Sequence, residues 1–292
     1  IAPLDRKLLR DLTRMKGQVV AVSLVMACGL AMMIMTRSLI LTLEGTRDAY
    51  YQRNRMADVF GSLKRAPLSM AERLARGPGV AAIEPPVVVD ATLGLPGVDE
   101  PATAHLVSIP DDRPMVLNQV FLRTGRMPEK DARREAVVSE AFAEANRIGP
   151  GDSVVAIING RRDNLIITGI GLSPEFVFEA RAGETLPDNK RYGVFWMNYH
   201  AVAVAYDMDG AFNDFCVDLA PGAQAGPAIS EMDRLLANYG AFGAYTRRDH
   251  ASASRLEDEL RVLHALSVAY PVVFLSVAAF MVNALLARLI RL

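Results

Sequence analysis

Two stretches without a charged residue, Gly17 to Thr36 and Ala265 to Ala287, stand near opposite ends of this chain. Each is long enough to cross a hydrocarbon core of roughly 30 Å, which takes about 20 helical residues. A chain built this way is expected to fold as a membrane protein, with transmembrane helices over 17–36 and 265–287 bracketing the largely polar segment between them. The first stretch shares its basic start and apolar body with a cleaved signal peptide. It is longer than the usual apolar core of about 7 to 15 residues. Met33-Ile34-Met35-Thr36-Arg37 also lacks the small-residue cleavage pattern, so an uncleaved anchor is expected.

Basic residues mark the side that stays in the cytoplasm. Arg6, Lys7, Arg10, Arg14 and Lys16 precede the first span against only Asp5 and Asp11, and Arg288 and Arg291 follow the second, in the end 288–292. Arg37 and Arg261 sit on the other side without reversing the bias. Both termini are therefore expected in the cytoplasm, with residues 37–264 extracytoplasmic.

Leu4, Leu8, Leu9, Leu12 and Met15 recur at helical spacing among charged residues, which predicts an amphipathic cytoplasmic helix over 1–16 whose basic face suits anionic lipid headgroups. Ala27 and Ala31 form a small-residue pair that would let another helix approach. Leu39, Leu43, Thr46 and Tyr50 carry the helical pattern out of the membrane as a stalk over 37–56. Asp249 is placed to cap a second stalk over 249–264, striped by Leu256, Leu260 and Leu263, with Leu43 and Leu260 expected to face one another. A helical stalk transmits displacement where a Gly/Ser linker would not. Pro271 is a place where the second span could kink.

Half of the chain is hydrophobic, 51%, and low-complexity tracts are absent, so the segment between the stalks can bury a core. Lys plus Arg 32 against Asp plus Glu 33 leaves no basic excess, which argues against a nucleic-acid partner. Cys28 falls in the first span and Cys216 outside, so they are not expected to pair, and the domain must be held by packing.

Between the stalks, strand and helix patterns alternate. Strands are expected near Ala57 to Arg65, Val80 to Leu93 (interrupted by Pro85 and Pro86), Ala104 to Ile109 and Glu135 to Val138, and helices over Ser69 to Arg76 and Ser139 to Asn146. Ser153 to Ile158 and Asn164 to Ile170 flank Asn159-Gly160, a strong hairpin signal, with Arg161, Arg162 and Asp163 able to lengthen the loop. Gly193 to Asp207, Asn213 to Leu219 and Gly243 to Thr246 read as strands, and Gln224 to Asn238 as a helix. The expected fold is α+β, split into a mixed α/β part over 57–124 and 200–248 and an inserted, mainly β part over 125–199.

Catalytic chemistry finds no footing. His105, His200, His250 and His264 are scattered without a zinc-site spacing, and there is neither a nucleophile elbow nor a phosphate loop. Gly169-Ile170-Gly171-Leu172-Ser173-Pro174 starts like a dinucleotide fingerprint, but Pro174 holds the third glycine's place and no helix pattern follows. Arg133-Arg134-Glu135 and Arg161-Arg162-Asp163 read as solvated loop faces. No catalytic, cofactor-binding or metal-binding residue is expected, and no cofactor in this chain, which is not expected to be an enzyme.

One resemblance does emerge. Gly125-Arg126-Met127-Pro128, then Glu135-Ala136-Val137-Val138-Ser139-Glu140-Ala141-Phe142-Ala143, Ile148-Gly149-Pro150-Gly151-Asp152-Ser153-Val154 and Ile167-Thr168-Gly169-Ile170 resemble the periplasmic core domain of MacB/FtsX-type ABC transporter permeases. The order of amphipathic helix, span, external domain and span is similar too. The resemblance implies a permease of the bacterial cytoplasmic membrane that passes movement from a separate ABC ATPase subunit, which binds the ATP, to its external domain. Export or extraction of a lipid, lipoprotein or other hydrophobic compound is the implied role. It further implies a second permease copy or homologous half, membrane lipids and a periplasmic protein as partners. Members carry at least four spans, so the chain is expected to be the N-terminal part of a longer permease, with its ATPase-contacting loop beyond Leu292. The alternative from the residues alone is a two-span sensor whose external domain binds a ligand and shifts the second helix.

Overall fold

The computed structural model describes residues 10, 13, 16–95, 100–181, 183–184 and 186–290. Helix α1 (Lys16–Arg53) is followed by β1 (Val59–Pro67), α2 (Leu68–Ala75), β2 (Val80–Glu84), β3 (Val88–Gly94) and β4 (Ala102–Ile109). Then come β5 (Phe121–Gly125), β6 (Glu135–Ser139), α3 (Glu140–Asn146), β7 (Ser153–Ile158) and β8 (Arg161–Leu172). The chain continues through β9 (Tyr192–Asn198), α4 (Tyr199–Ala205), β10 (Ala211–Leu219), α5 (Ala225–Leu236) and β11 (Ala241–Thr246) into α6 (Ala251–Ile290). This is an α+β fold with two long apolar helices at its ends. The amphipathic helix expected over 1–16 lies outside the described residues except at Arg10, Thr13 and Lys16, as do residues 291–292.

The chain divides into two compact units, residues 1–48 with 257–292, and residues 49–256. In the first, α1 and α6 are both long and apolar enough to cross a membrane. Val22, Gly29 and Ile40 are buried on α1, and Leu260, Pro271 and Ala278 on α6. The large apolar side chains between them, such as Leu24, Ile34, Met35, Val273 and Phe280, remain exposed. Apolar surface of that extent is suited to lipid rather than water. The close approach falls at Gly29, where a Cβ would stand 3.1 Å from the Cβ of Phe274. Ala27 and Ala31, the pair expected to serve this purpose, are exposed instead, because they lie on another face of the helix. Arg47 pairs with Glu257 at 2.9 Å and Glu44 lies 3.7 Å from His264. Leu260 is buried and Leu43 is 40% exposed.

The second unit holds two sheets. One is four-stranded and antiparallel, in the order β11-β1-β10-β2, with α2 joining β1 to β2 and α5 joining β10 to β11. That is a split βαβ arrangement made from the two ends of the unit. Val59, Leu63, Leu74, Phe212, Phe215, Met232 and Leu236 pack together as its core.

Everything from β3 to β9 belongs to the other sheet, in the order β5-β8-β6-β9-β4-β3-β7. β7 also pairs with β8, so six strands close on themselves as a barrel and β5 lies alongside β8. Strand β9 is buried at every residue, which explains its continuous apolar run Gly-Val-Phe-Trp-Met. Its alternate side chains serve two clusters, Phe195 and Met197 with Leu106, Phe142 and Val202, and Val194 and Trp196 with Val107 and Val137.

Several expectations need correction. Val80 to Leu93 is two strands, not one. Pro85 and Pro86 have no N–H to give to a ladder, so pairing stops there and the chain passes from one sheet to the other. The border between the parts therefore falls after Glu84 and before Ala211, so that 88–109 joins the barrel rather than the α/β part. Gly193 to Asp207 is a strand only to Asn198, and then becomes α4. Strand β5 had no sequence signal. Arg161, Arg162 and Asp163 lie within β8, because Asn159 (φ 45°) and Gly160 (φ 77°) make a two-residue turn with Ile158 opposite Arg161. Positive φ at both central positions is the type I′ geometry that Asn-Gly favours. Asp249 does not cap α6. Its carboxylate accepts from the Thr246 hydroxyl at 2.8 Å, and the His250 carbonyl takes the first helical bond, from Ser254 N.

Candidate functional site

Five segments distant in sequence meet in the second unit as one network, with Asn118 joining the end of α1 to the segment after β8. The last turn of α1 ends at Arg55 in the left-handed region, with Asn54 Nδ2 donating to the Tyr50 carbonyl at 2.9 Å. The loop before β5 then docks on this end. Asn118 N and Gln119 N donate to the carbonyls of Arg55 and Asn54, both at 2.9 Å, and Ala57 N donates to Asn118 Oδ1 at 2.9 Å. That loop is itself fixed by Glu84, a buried carboxylate that accepts from both Arg113 guanidinium nitrogens and from Val116 N at 2.8 Å. A paired arrangement of this kind is the usual condition for burying a charge.

From Asn118 the network enters the barrel. Ser173 Oγ, just past β8, donates to the Asn118 carbonyl at 3.1 Å, and Asn118 Nδ2 donates to Glu175 Oε2 at 2.7 Å. The other Glu175 oxygen lies 3.9 Å from His250 Nε2, at the start of α6, and Phe178 N donates to Ser252 Oγ at 2.9 Å. Arg247 closes the circuit by donating to the carbonyls of Ala57 at 2.8 Å and Met56 at 2.6 Å, and to the Asp58 carboxylate at 2.7 Å. The end of α1 is thereby bonded to the loop before β5, and the start of α6 to the segment that follows β8.

Burial governs the ionisation of this hub. It raises the Glu175 carboxyl to about 7, against the opposing pull of the His105 charge and the Asn118 hydrogen bond. It lowers His250 to about 4, so that the imidazole is neutral at neutral pH. The ring packs on Phe60 with centroids 4.5 Å apart, and its Nδ1 has no hydrogen-bond partner among the described residues. Asp214 and Cys216 are held well above their ordinary ranges by burial. The raised Glu175 weakens the fold as pH climbs from about 4.5 through about 7, and the lowered His250 weakens it as pH falls from about 6.5 through about 4.

The four histidines are not brought together. His105 bonds Asp90 at 2.8 Å, His200 is anchored through its backbone N to Asp111, His250 is in the hub, and His264 bonds the Leu260 carbonyl at 3.0 Å. Among the described residues no three potential ligands gather for a metal ion. Gly169 and Gly171 lie inside β8, and Ser173-Pro174 opens a short 3-10 turn, so the fingerprint-like run is strand and turn. Asn118, Glu175 and Arg247 were not singled out from sequence. The only trace of them was Ser173-Pro174-Glu175, whose serine caps that turn by accepting from Glu175 N.

No family model matches the chain, and no curated protein matches it. Solved structures are similar in fold, among them two transporter domains. The extracellular domain of the noncanonic ABC-type transporter YknZ from Gram-positive bacteria is 14% identical, with a TM-score of 0.43, over 65% of this chain and 98% of that one. The periplasmic region of MacB from Actinobacillus actinomycetemcomitans is 12% identical, with a TM-score of 0.42, over 72% of this chain and 95% of that one.

Proposed function

We propose that the chain acts as the transmembrane permease subunit of an ABC transporter of the MacB/FtsX type. ATP hydrolysis by a separate subunit moves the two membrane helices, and the external domain responds, driving export or extraction of a lipid, lipoprotein or other hydrophobic compound. The chain then sits in a bacterial cytoplasmic membrane with 37–264 outside, beside a second permease copy or homologous half. The observation that carries this reading is the hub. α1 is unbroken from Lys16 to Arg53 and α6 from Ala251 to Ile290, so each element carries both an apolar stretch and a hub turn. A continuous helix is stiff along its axis, and buried hydrogen bonds at its end leave no slack to absorb a displacement.

Isolation of the protein from native membranes in mild detergent tests this. An ATP-binding-cassette ATPase is expected to co-purify in stoichiometric amount. A kinase or methyl-accepting partner in its place would put the two-span sensor in the permease's stead.

A further inference from the structure

Apart from the hub, the external unit carries a cavity of about 430 Å³ between α4 and the tip of the β7–β8 hairpin. Its size is in the range of about 300 to 1,000 Å³ that small-molecule sites occupy. Arg133, Arg134 and Arg161 line it together with Asp163 and Asp207, so that three arginines face two aspartates and leave one net positive charge. Arg134 is already committed to Asp163, at 2.9 Å. Arg133 and Arg161 are exposed and form no ion pair among the described residues. Behind them the wall is apolar, formed by Ile158, Ala201 and Val204 over the buried Leu106 and Met197.

Three separate ties hold the walls in place. Asn198 Nδ2 donates to the carbonyls of Glu129 at 2.6 Å and Ala132 at 3.2 Å, which fixes the loop before β6 to the start of α4. The Arg134–Asp163 pair fixes the same loop to β8. Asn159 Nδ2, at the hairpin tip, donates to the Ala205 carbonyl at 2.9 Å, which fixes the tip to the end of α4. Arg133 thus lies between two tethered neighbours while its own guanidinium is uncommitted. A cleft whose frame is set before a ligand arrives spends little binding energy on ordering.

We propose that this cleft binds an organic oxyanion, a single phosphate or carboxylate head on a short apolar body, with the head between Arg133 and Arg161 and the body against Ile158 and Val204. Guanidinium groups match the planar or tetrahedral oxygens of such heads in charge and geometry. The site goes beyond the permease reading, and direct binding tests it whether or not an ATPase partner exists.

The probe is hexyl phosphate, titrated into the full chain held in phosphatidylcholine nanodiscs, with empty nanodiscs as reference. Saturable binding is expected, weakened at least tenfold in Arg133→Glu/Arg161→Glu and also in Val204→Asp. All three positions are exposed, so the fold should survive, and unchanged emission from the buried Trp196 checks this. Competition by phosphatidylglycerol placed in the nanodiscs would identify a membrane lipid as the source of the head, and its absence a free amphiphile. The proposal is overturned by lack of saturable binding, by equal affinity for hexyltrimethylammonium or for inorganic phosphate alone, or by full binding in the double arginine variant.

Discussion

Asn118→Leu is expected to destabilise the sheet-bearing unit, residues 49–256, by about 3–5 kcal/mol. The side chain is buried and serves two partners, accepting from Ala57 N and donating to Glu175 Oε2. Removing it strands a backbone N–H and a carboxyl oxygen, at about 1–3 kcal/mol each for buried groups that lose their partner. The backbone adds to this, because Asn118 has φ 48°, where asparagine is tolerated and a branched apolar residue is strained. Asn118→Gly separates the two contributions, since it keeps the backbone freedom and loses only the hydrogen bonds. Denaturant unfolding followed by the single tryptophan, Trp196, gives the numbers. A loss below about 1 kcal/mol for the leucine variant would mean that the two side-chain bonds contribute little net stability to the hub.

Gly193→Ala is expected to cost about 3 kcal/mol, more than most additions of a single methyl to a core. Gly193 is buried in the fully covered strand β9, and a Cβ there would stand 2.4 Å from the ring of Phe142 on α3. Phe142 is wholly buried and packs edge-on to Phe195 with centroids 5.4 Å apart, so it has no free direction in which to move. Phe142→Ala removes the Cγ and Cδ2 that the new methyl would strike at 2.4 and 2.5 Å, at the expense of the aromatic packing. The alanine at 193 should therefore cost markedly less in the Phe142→Ala background than in the native one, and equal costs in both would show that the glycine answers to something other than the Phe142 ring.

What was legible in the sequence was what repeats locally. The spans stand out because about 20 apolar residues in a row leave few other folds open. Glu135 to Asn146 reads correctly as strand then helix, and Asn159-Gly160 as a hairpin tip, because the pattern and the turn chemistry agree within a dozen residues. The failures occur where distant contacts decide. Ala-Val alternation after Asn198 suits a strand as well as a helix. Helix wins because the Asn198 amide is drawn to the carbonyls of Glu129 and Ala132 while Val202 and Ala203 turn into the barrel core. The sheet change at Pro85-Pro86 could be seen as an interruption but not as a crossing, since nothing near the prolines says which sheet each half will join. The hub was hidden for the same reason. Asn54, Asn118, Glu175 and His250 are each ordinary in their own neighbourhoods, and only the fold makes them neighbours.

The most direct test of mechanical coupling locks the two long helices together. Arg47 and Glu257 pair at 2.9 Å, so Arg47→Cys and Glu257→Cys can be bridged by a short bis-maleimide, after Cys28→Ser removes the exposed native thiol. Cys216 is buried and can stay. The measurement is ATP turnover by the co-purified complex before and after bridging, with Trp196 emission as a check that the sheet-bearing unit stays folded. The account predicts that turnover falls to background with the bridge in place and returns when a cleavable bridge is cut. Undiminished turnover with the bridge formed would contradict it, because the helices could then carry no movement between the ATPase and the domain outside.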